Sequence, residues 1–196
     1  QLPASVVVHE MPGLSRRIGG IAHRFFREPS AELDVAGITG TNGKTTTAYL
    51  LAQAADAIGR KGAYLGTIGF GRPGALGEVG LTTPDCTSVH RRLAQARDAG
   101  AKTMSLEVSS HALDQGRVDG VRFGTAVFTN LSRDHLDYHG TLEAYGAAKA
   151  RLFGTPGLGR AVINVRDEFG RQLADSPDKS VERVLFSTSN EIWAPG

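Results

Sequence analysis

Residues 40–46 have the types and order needed to bind the phosphates of a nucleotide. The run reads Gly-Thr-Asn-Gly-Lys-Thr-Thr. Glycines let a chain turn sharply and present backbone N–H groups, Lys44 brings a positive charge to the outer phosphates, and the Thr45 hydroxyl suits Mg²⁺. The spacing departs from the general phosphate-loop pattern, because Ile38 stands where a glycine five before Gly43 is usual. A glycine-rich turn with a chance Gly-Lys-Thr is the alternative, and the flanking elements disfavour it.

Two further groups of polar residues follow predicted strands. Glu107 stands at the end of the predicted strand 103–108, which is followed by Ser-Ser-His, and residues 130–140 include His135 and His139. Ligands gather at the carboxyl ends of parallel strands, and a glutamate there offers a hard oxygen to Mg²⁺. A surface carboxylate is the alternative. The two histidines, four apart, suit either a zinc site or a structural role, but the Leu-Asp-Tyr between them lacks the glutamate of a zinc protease.

The elements that must position these residues alternate between strand and helix. Hydrophobic runs predict strands at residues 33–39, 63–68, 103–108, 125–129, 160–164 and 184–186. Helices are predicted at residues 44–58, 85–99, 141–153 and 167–174. This alternation is typical of an α/β domain with a mostly parallel sheet and helices on both faces. Asp85 and Thr141 are predicted helix N-caps.

Other local patterns are less regular. The helix after the phosphate loop is predicted to bury one apolar face, made of Leu50, Leu51, Ala54 and Ile58. Residues 69–80, rich in glycine, predict a hairpin or a mobile loop. Residues 1–30 read as a lead-in, with a short strand at 6–8 and a helix at 16–26.

Bulk composition narrows the class of protein. The chain has 196 residues, of which 40% are hydrophobic and 21% charged, as in one soluble globular domain. The net charge of +2 gives no electrostatic argument for a nucleic acid partner. The single cysteine, Cys86, cannot form an internal disulfide, and no apolar run reaches the roughly 18–20 residues that span a bilayer. We therefore expect a cytoplasmic protein without membrane or nucleic acid partners.

Three stretches carry a family resemblance. Residues 39–46 resemble the phosphate loop of the Mur ligases and the related folylpolyglutamate synthetases, which activate a carboxylate with ATP. Residues 107–111 (Glu-Val-Ser-Ser-His) and 130–140 (Asn-Leu-Ser-Arg-Asp-His-Leu-Asp-Tyr-His-Gly), with Gln115 and Arg117 between them, are similar to the Mur ligases that add the third residue of the peptidoglycan stem peptide. The resemblance covers roughly residues 30–175.

The resemblance implies an ATP-dependent ligase of cell-wall biogenesis, and hence of cell shape and cell division. It would add an amino acid, expected to be meso-diaminopimelate, to the D-Glu γ-carboxylate of UDP-N-acetylmuramoyl-L-Ala-D-Glu through an acyl phosphate. ATP and Mg²⁺ would be its cofactors, and we expect a monomer. A homologue that adds L-lysine, a ligase for folate or an aspartate polymer, and a nucleotide-binding module without ligase chemistry stay open.

The resemblance also implies individual roles. ATP would be bound by Gly40, Thr41, Asn42, Gly43, Lys44, Thr45 and Thr46. The UDP-linked dipeptide would be bound by Thr82, Thr83, Ser109, Gln115 and Arg117. Metal ions would be held by Thr45, Glu107, His135 and Lys149, the last as a carbamate. The catalytic residues would be Lys44, His135 and Lys149.

Lys149 has this role only through the resemblance, since its own context is that of a helix-surface lysine. In the family, the lysine at this place carries CO₂ as a carbamate, whose oxygens can ligate Mg²⁺. Carbamylation needs the neutral amine, so burial that lowers the lysine pKa favours it. We expect the small residues Gly146, Ala147 and Ala148 to leave room for the added group.

The resemblance finally implies a truncated enzyme. Residues 1–30 would be the linker or end of an N-terminal UDP-binding domain, and residues 31–196 an incomplete central ATP-binding domain. The C-terminal amino-acid-binding domain would be absent, because no Asp-Asn-Pro-Arg motif occurs. We therefore expect the isolated piece to lack ligase activity. The family's Asn-x-Asp-Asp is replaced here by Asn-Val-Arg-Asp, so Arg166 is assigned no function.

Overall fold

The computed structural model describes Val7, residues 10–175 and residues 180–187. In this part of the chain the strands are β1 Asp34–Thr39, β2 Gly62–Gly66, β3 Gly69–Arg72, β4 Ala75–Gly77, β5 Thr103–Glu107, β6 Thr125–Phe128, β7 Arg160–Asn164 and β8 Glu182–Phe186. They form one sheet in the order β4-β3-β2-β5-β1-β6-β7-β8. The six strands from β2 to β8 in this order are parallel, and β3 and β4 add an antiparallel hairpin at one edge.

The helices connect the strands. They are α1 Ile18–Phe25, α2 Lys44–Ala57, α3 Cys86–Asp98, α4 Ser110–Asp114, α5 Leu136–His139, α6 Leu142–Ala150 and α7 Glu168–Ala174. Short 3₁₀ turns occur at Leu14–Arg16, Pro29–Ala31 and Arg151–Gly154. No helix in the described ranges is long and apolar enough to cross a bilayer.

Helices cover both faces of the sheet, as the sequence predicted. Alternate residues of β1 point to opposite sides. Val35 packs in a core with Leu93 of α3. Ile38 packs on the other side with Ala48 of α2. Helix α7 adds Ala174 to a third cluster, around Phe128 and Ile163 at the β6 and β7 end of the sheet.

The predicted core face of α2 was wrong. Leu50, Leu51 and Ile58 are exposed, and Ala48, Ala52 and Ala55 are buried instead. The reason is a close approach between the helix and strand β2. A side chain on Gly62 would overlap the backbone carbonyl of Ala52, so only small residues fit at this contact. A face of alanines therefore meets the sheet, and the larger apolar residues point outward.

The helix caps and the bounds of individual elements agree in part with the sequence predictions. Asp85 and Thr141 are N-caps, accepting hydrogen bonds from the backbone N–H groups of Ser88 and Ala144. Residues 69–80 contain the β3–β4 hairpin. The helix predicted at 141–153 ends at Ala150 and continues as a 3₁₀ turn. The strand predicted at residues 6–8 lies outside the described residues, apart from Val7.

Candidate active site

The phosphate-loop sequence forms the turn between β1 and α2, and its two glycines are both required. Gly40 has φ +147°, and a Cβ there would overlap the hydroxyl oxygen of Thr129. Gly43 has φ +83° and is the N-cap of α2. Residues with a side chain rarely adopt such φ values, so the loop needs glycine at both positions.

A second strand end holds this loop in place. The Thr41 N–H donates to the Asn130 backbone carbonyl at 2.8 Å, and the Asn42 N–H to Asn130 Oδ1 at 3.0 Å. In return Asn130 Nδ2 donates to the Asn42 carbonyl at 3.1 Å, and the Thr129 hydroxyl donates to the same carbonyl at 2.7 Å. Thr129 and Asn130 follow β6, which pairs directly with β1. The sequence interpretation gave neither residue a role, although their place after a strand was the available signal.

Lys44 lies over the loop that precedes it. Its ammonium donates to the backbone carbonyls of Gly40 and Thr41, at 2.9 and 2.8 Å. Burial lowers the pKa of Lys44, while the charges of Glu107 and Asp134 oppose that shift. The loop therefore holds the Lys44 ammonium, and the flexible four-carbon side chain allows this ammonium to turn towards a phosphate.

Glu107 is a fully buried carboxylate with only donors around it, so the surface reading of this residue was wrong. Its side chain is 0% exposed at the end of β5. One oxygen, Oε2, accepts from the hydroxyls of Thr45 and Thr67, at 2.9 and 3.3 Å. The other, Oε1, accepts from the Thr67 N–H at 2.9 Å and from the Tyr64 hydroxyl. Four donors suit an ionised carboxylate.

These groups meet in one cleft of about 370 Å³. It is lined by Thr41, Asn42, Gly43, Lys44, Thr45, Thr46, Thr67, Thr82, Glu107, Ser109 and His135. The fold thus brings together six of the seven predicted ATP-binding residues, three of the four predicted metal ligands, and two of the five predicted substrate residues in this cleft. Thr67 belongs to the same cleft and was missed, because the predicted strand ran to residue 68 and included it, whereas β2 ends at Gly66.

The oxygens of Thr45 and Glu107 are a donor set that fits Mg²⁺. They lie 2.9 Å apart, and both are hard ligands. Among the described residues, no group of three or more His, Cys, Asp or Glu is arranged to hold a metal ion. Magnesium at nucleotide sites uses one or two protein ligands and takes the rest from phosphate and water, so this pair suits it. Zinc sites use at least three protein ligands.

Lys149 lies beneath the phosphate loop, not on a helix surface. The residue is 1% exposed, and its amine donates to the Gly40 carbonyl at 2.8 Å and sits 4.2 Å from the centre of the Tyr145 ring. Burial, with a smaller contribution from the charge of Lys44, lowers the pKa of Lys149 to about 7, against the opposing charge of Asp134. A substantial share of this amine is therefore neutral near neutral pH.

The expectation that Gly146 leaves room beside Lys149 was wrong. A Cβ at Gly146 would lie 2.7 Å from the ring of Phe169 on α7. Glycine is therefore needed here for the close packing of α6 against Phe169. Ala148 is buried as well, whereas Ala147 is exposed.

His135 belongs to a cluster of aromatic rings beside the cleft. Its backbone has φ +51°, an uncommon value for a residue with a side chain and one that often marks a functional site. The His135 ring meets His111 edge-on with centroids 4.8 Å apart, and His111 also contacts Tyr138 at 4.2 Å and His139 at 5.5 Å. His139 Nε2 lies 3.0 Å from the Ser110 hydroxyl. Burial lowers the pKa of both His111 and His139.

The predicted substrate residues form a connected path, but they differ in exposure. Thr82 and Ser109 line the cleft. Thr83 is 1% exposed, and its hydroxyl donates to the Glu107 backbone carbonyl at 2.8 Å and accepts from the Ser109 N–H at 3.1 Å. Arg117 donates to the Thr83 carbonyl at 3.0 Å and to Gln115 Oε1 at 2.9 Å. The Thr83 hydroxyl is thus fully used within the protein.

Comparison with known proteins adds two kinds of finding. The family model described as the Mur ligase middle domain matches residues 38–194. A relative in Xanthomonas oryzae pv. oryzae, named UDP-N-acetylmuramoyl-L-alanyl-D-glutamate--2,6-diaminopimelate ligase, is 54% identical over 187 residues, which are 95% of this chain. The chain spans only 38% of that relative's length.

Solved structures agree with the fold. A 2,6-diaminopimelate ligase structure of the same name superposes with a TM-score of 0.83 at 37% identity, over 96% of this chain and 40% of its own. A Mycobacterium tuberculosis folylpolyglutamate synthase, solved with ADP and AMPPCP, superposes with a TM-score of 0.65 at 16% identity, over 88% of this chain and 46% of its own. The second likeness shows the fold alone. From the matched family model and the shared fold, the chain belongs to the Mur ligases and corresponds to their middle domain.

Proposed function

We propose that the chain is the ATP-binding part of a ligase of peptidoglycan synthesis. The ligase adds meso-diaminopimelate to the D-Glu γ-carboxylate of UDP-N-acetylmuramoyl-L-Ala-D-Glu. One observation carries the proposal: Lys44, Thr45 and the buried Glu107 meet in one cleft below a glycine loop. That arrangement suits phosphoryl transfer, and the relative that is 54% identical bears the name of this ligase.

The reaction has two bond-forming steps. An oxygen of the substrate carboxylate attacks the γ-phosphorus of ATP, the bond to ADP breaks, and an acyl phosphate results. The amine of the incoming amino acid then attacks the acyl carbon, loses a proton, and expels phosphate. The loop and Lys44 hold the phosphate chain and neutralise charge on the transferring group.

The cation site is part of the proposal. Thr45 and Glu107 would hold one Mg²⁺, and His135 and a carbamate on Lys149 a second. Bound Mg²⁺ supplies charge neutralisation at the phosphates. The pKa of Lys149, about 7, supports the carbamate, because a neutral amine can attack CO₂ and lose a proton.

The substrate contacts follow from the path of polar residues. Thr82 and Ser109 would meet the dipeptide next to the phosphate loop, and Gln115 and Arg117 would meet it further out. Thr83 would act by holding the Ser109 N–H, since its own hydroxyl is used inside the protein. The guanidinium of Arg117 suits a carboxylate or phosphate.

The remaining assignments are also proposals. Residues 1–30 would lead in from a UDP-binding domain, and residues 31–196 would belong to the central ATP-binding domain. A separate domain would supply the amino-acid site, the enzyme would work in the cytoplasm as a monomer, and the isolated 196-residue piece would lack ligase activity.

The test is an assay of ADP release by the full-length enzyme. Release should require both the UDP-linked dipeptide and an amino acid. A panel with diaminopimelate, L-lysine, folate and an aspartate polymer would identify the substrates. Fast ATP hydrolysis with neither substrate present would contradict the proposal, as would preference for a folate.

A nucleotide-binding module without ligase chemistry is the competing function. Such a module would bind ATP through the same loop, and Lys149→Ala would leave its function intact. The ligase predicts the opposite, because the variant removes a proposed metal ligand. ATP binding retained with ligase activity lost would therefore favour the ligase.

A further inference from the structure

Tyr64 is a buried tyrosine whose hydroxyl meets the carboxylate of Glu107. Its side chain is 0% exposed in the middle of β2 and packs in the core with Ile38 and Ala52. A phenol hydroxyl in such a core needs a partner, because burying it unpaired is unfavourable. The partner is Glu107 Oε1.

The sheet brings the two side chains together. Strands β2 and β5 are parallel neighbours in which Tyr64 pairs with Ser105, so Glu107 lies two residues further along the same face. Gly66 gives them the space to meet. A Cβ at Gly66 would overlap both Glu107 Oε1 and the Tyr64 hydroxyl.

The two oxygens of Glu107 have different kinds of partner. Oε1 is held by the Tyr64 hydroxyl, at the end of a ring fixed in the core, and by the Thr67 backbone N–H. Oε2 is held by the side-chain hydroxyls of Thr45 and Thr67, which can rotate away. One oxygen is therefore anchored to the sheet, and the other faces the loop and can exchange its partners.

We propose that Tyr64 is a positioning residue for the cation site, anchoring Glu107 Oε1 so that Oε2 faces Thr45 and the cleft. This inference rests on the proposed function, in which Glu107 holds a divalent cation beside the nucleotide. Hydrogen-bond partners of a metal-binding carboxylate fix its orientation, and their loss typically weakens metal binding by about 10–100-fold.

The test uses Tyr64→Phe in the full-length enzyme, with Mn²⁺ as the probe. The variant keeps the ring in the core and removes only the hydroxyl. Titration of Mn²⁺ in the presence of ADP, followed by electron paramagnetic resonance, should show affinity lower by about tenfold or more. In assays, the Mg²⁺ concentration for half-maximal rate should rise by a similar factor, and kcat should recover at saturating Mg²⁺. A purely structural defect would not recover in this way.

Tyr49→Phe is the matched control. The Tyr49 ring meets the Tyr64 ring edge-on at 5.7 Å, but its hydroxyl accepts the Gly74 N–H at 3.2 Å. This variant removes the same group from the neighbouring ring without touching Glu107. Its Mn²⁺ affinity and Mg²⁺ requirement should equal those of the wild type.

The outcomes separate the two claims. If Tyr64→Phe binds Mn²⁺ as tightly as the wild type, or if its kcat stays low at every Mg²⁺ concentration, the positioning role is wrong and the proposed function stands. If the wild type binds no Mn²⁺ with ADP, the proposed function fails and this inference fails with it. Weaker Mn²⁺ binding with recovered kcat supports both.

Discussion

Two buried regions of this domain surround their ionisable side chains in opposite ways. Glu107, on the α2 face of the sheet, has a hydrogen-bond donor for every direction of its carboxylate. On the other face, His23 of α1 and His90 of α3 lie with ring centroids 5.6 Å apart. Of their four ring nitrogens, only His90 Nε2 has a hydrogen-bond partner in the described part of the chain, the Asp119 carbonyl at 2.9 Å. Both nitrogens of His23 and Nδ1 of His90 have none within the described residues.

The difference concerns which charge state the fold supports. The donors around Glu107 favour a charged side chain facing the cleft, where a cation can approach. Burial lowers the pKa of both His23 and His90, so this pair is kept neutral between two helices. Glu28 lies 3.7 Å from His23 Nε2, too far for a hydrogen bond, and only partly opposes the shift. One region holds a charge at the proposed cation site, and the other excludes a charge between two helices.

Glu107→Gln should have the largest effect on this contrast. The substitution removes the charge and places an amide NH₂ among groups that all donate. We expect ligase activity to fall by on the order of 10²–10³-fold, as when a group that stabilises the transition state is lost. Steady-state ADP release at saturating Mg²⁺ measures it.

Glu143→Gln is the control for that variant, because Glu143 is an exposed residue in the first turn of α6. It should keep wild-type activity. Equal activity in the Glu107 and Glu143 variants would show that the buried charge has no role in the reaction.

Lys149 extends the comparison to a buried amine beneath the same cleft. With a pKa of about 7, its neutral fraction falls close to tenfold for each pH unit below that value. Carbamate formation consumes the neutral amine and also releases a proton, so the dissolved CO₂ needed for half-maximal rate should rise by on the order of 100-fold from pH 6 to pH 5. Above pH 8, where the amine is already neutral, it should still fall about tenfold for each pH unit. Initial rates in CO₂-depleted buffer with added bicarbonate test this. Any residual rate of Lys149→Met should not depend on CO₂. Wild-type rates that are independent of CO₂ at every pH would argue against a carbamate.

The His23–His90 pair predicts a loss of stability in acid, not a loss of chemistry. Their folded-state pKa values are lowered from 6.5, so the unfolded state binds more protons once the pH falls below about 6.5. Each neutral histidine then costs up to about 1.4 kcal/mol of stability per pH unit. Hydrogen exchange of α1 and α3 amides at pH 7.5 and 5.5, corrected for intrinsic exchange, should show the loss of protection.

A variant isolates the titration from other acid effects. His90→Gln keeps a donor for the Asp119 carbonyl and does not titrate. Its protection in α3 should depend less on pH than that of the wild type. The same pH dependence in both proteins would locate the acid sensitivity elsewhere.

The sequence carried enough information for the architecture but not for its packing distances. Alternating hydrophobic runs indicated the parallel sheet, and the capping residues Asp85 and Thr141 marked two helix starts correctly. The buried face of α2 was predicted wrongly, because the large apolar residues Leu50 and Leu51 were assigned to the core from helical periodicity alone. The close approach at Gly62 that selects alanine is a property of two elements together.

The candidate site likewise contains residues that could be predicted from local sequence and contacts that could not. The loop residues and Glu107 were visible, because glycine spacing and position after a strand are local signals. The contact of Tyr64 with Glu107 joins residues 43 apart in sequence and depends on strand register and on the space at Gly66. The burial of Lys149 depends on where α6 meets the phosphate loop, which its Gly-Ala-Ala-Lys context does not reveal.

Substitutions at two helix caps should have the smallest effects, and they test the cleft region and the histidine-pair region separately. Thr141 caps α6, which carries Lys149, and Asp85 caps α3, which carries His90. Replacing either by alanine should cost about 1 kcal/mol of local stability. Only Thr141→Ala should also lower ligase activity, because fraying of α6 loosens the amine beneath the loop.

The Asp85 cap has its own pH signature. Burial raises the pKa of Asp85, but hydrogen bonds from Ser88 and Thr87 outweigh this and bring it to about 2. Its contribution is therefore complete above the unfolded pKa of about 3.9 and is lost as the pH falls towards 2. Protection of α3 amides at pH 7.5 should fall in Asp85→Ala while ADP release stays unchanged. Loss of activity in this variant, or unchanged activity in Thr141→Ala, would mean that the cleft region and the α1–α3 region do not divide function from stability in this way.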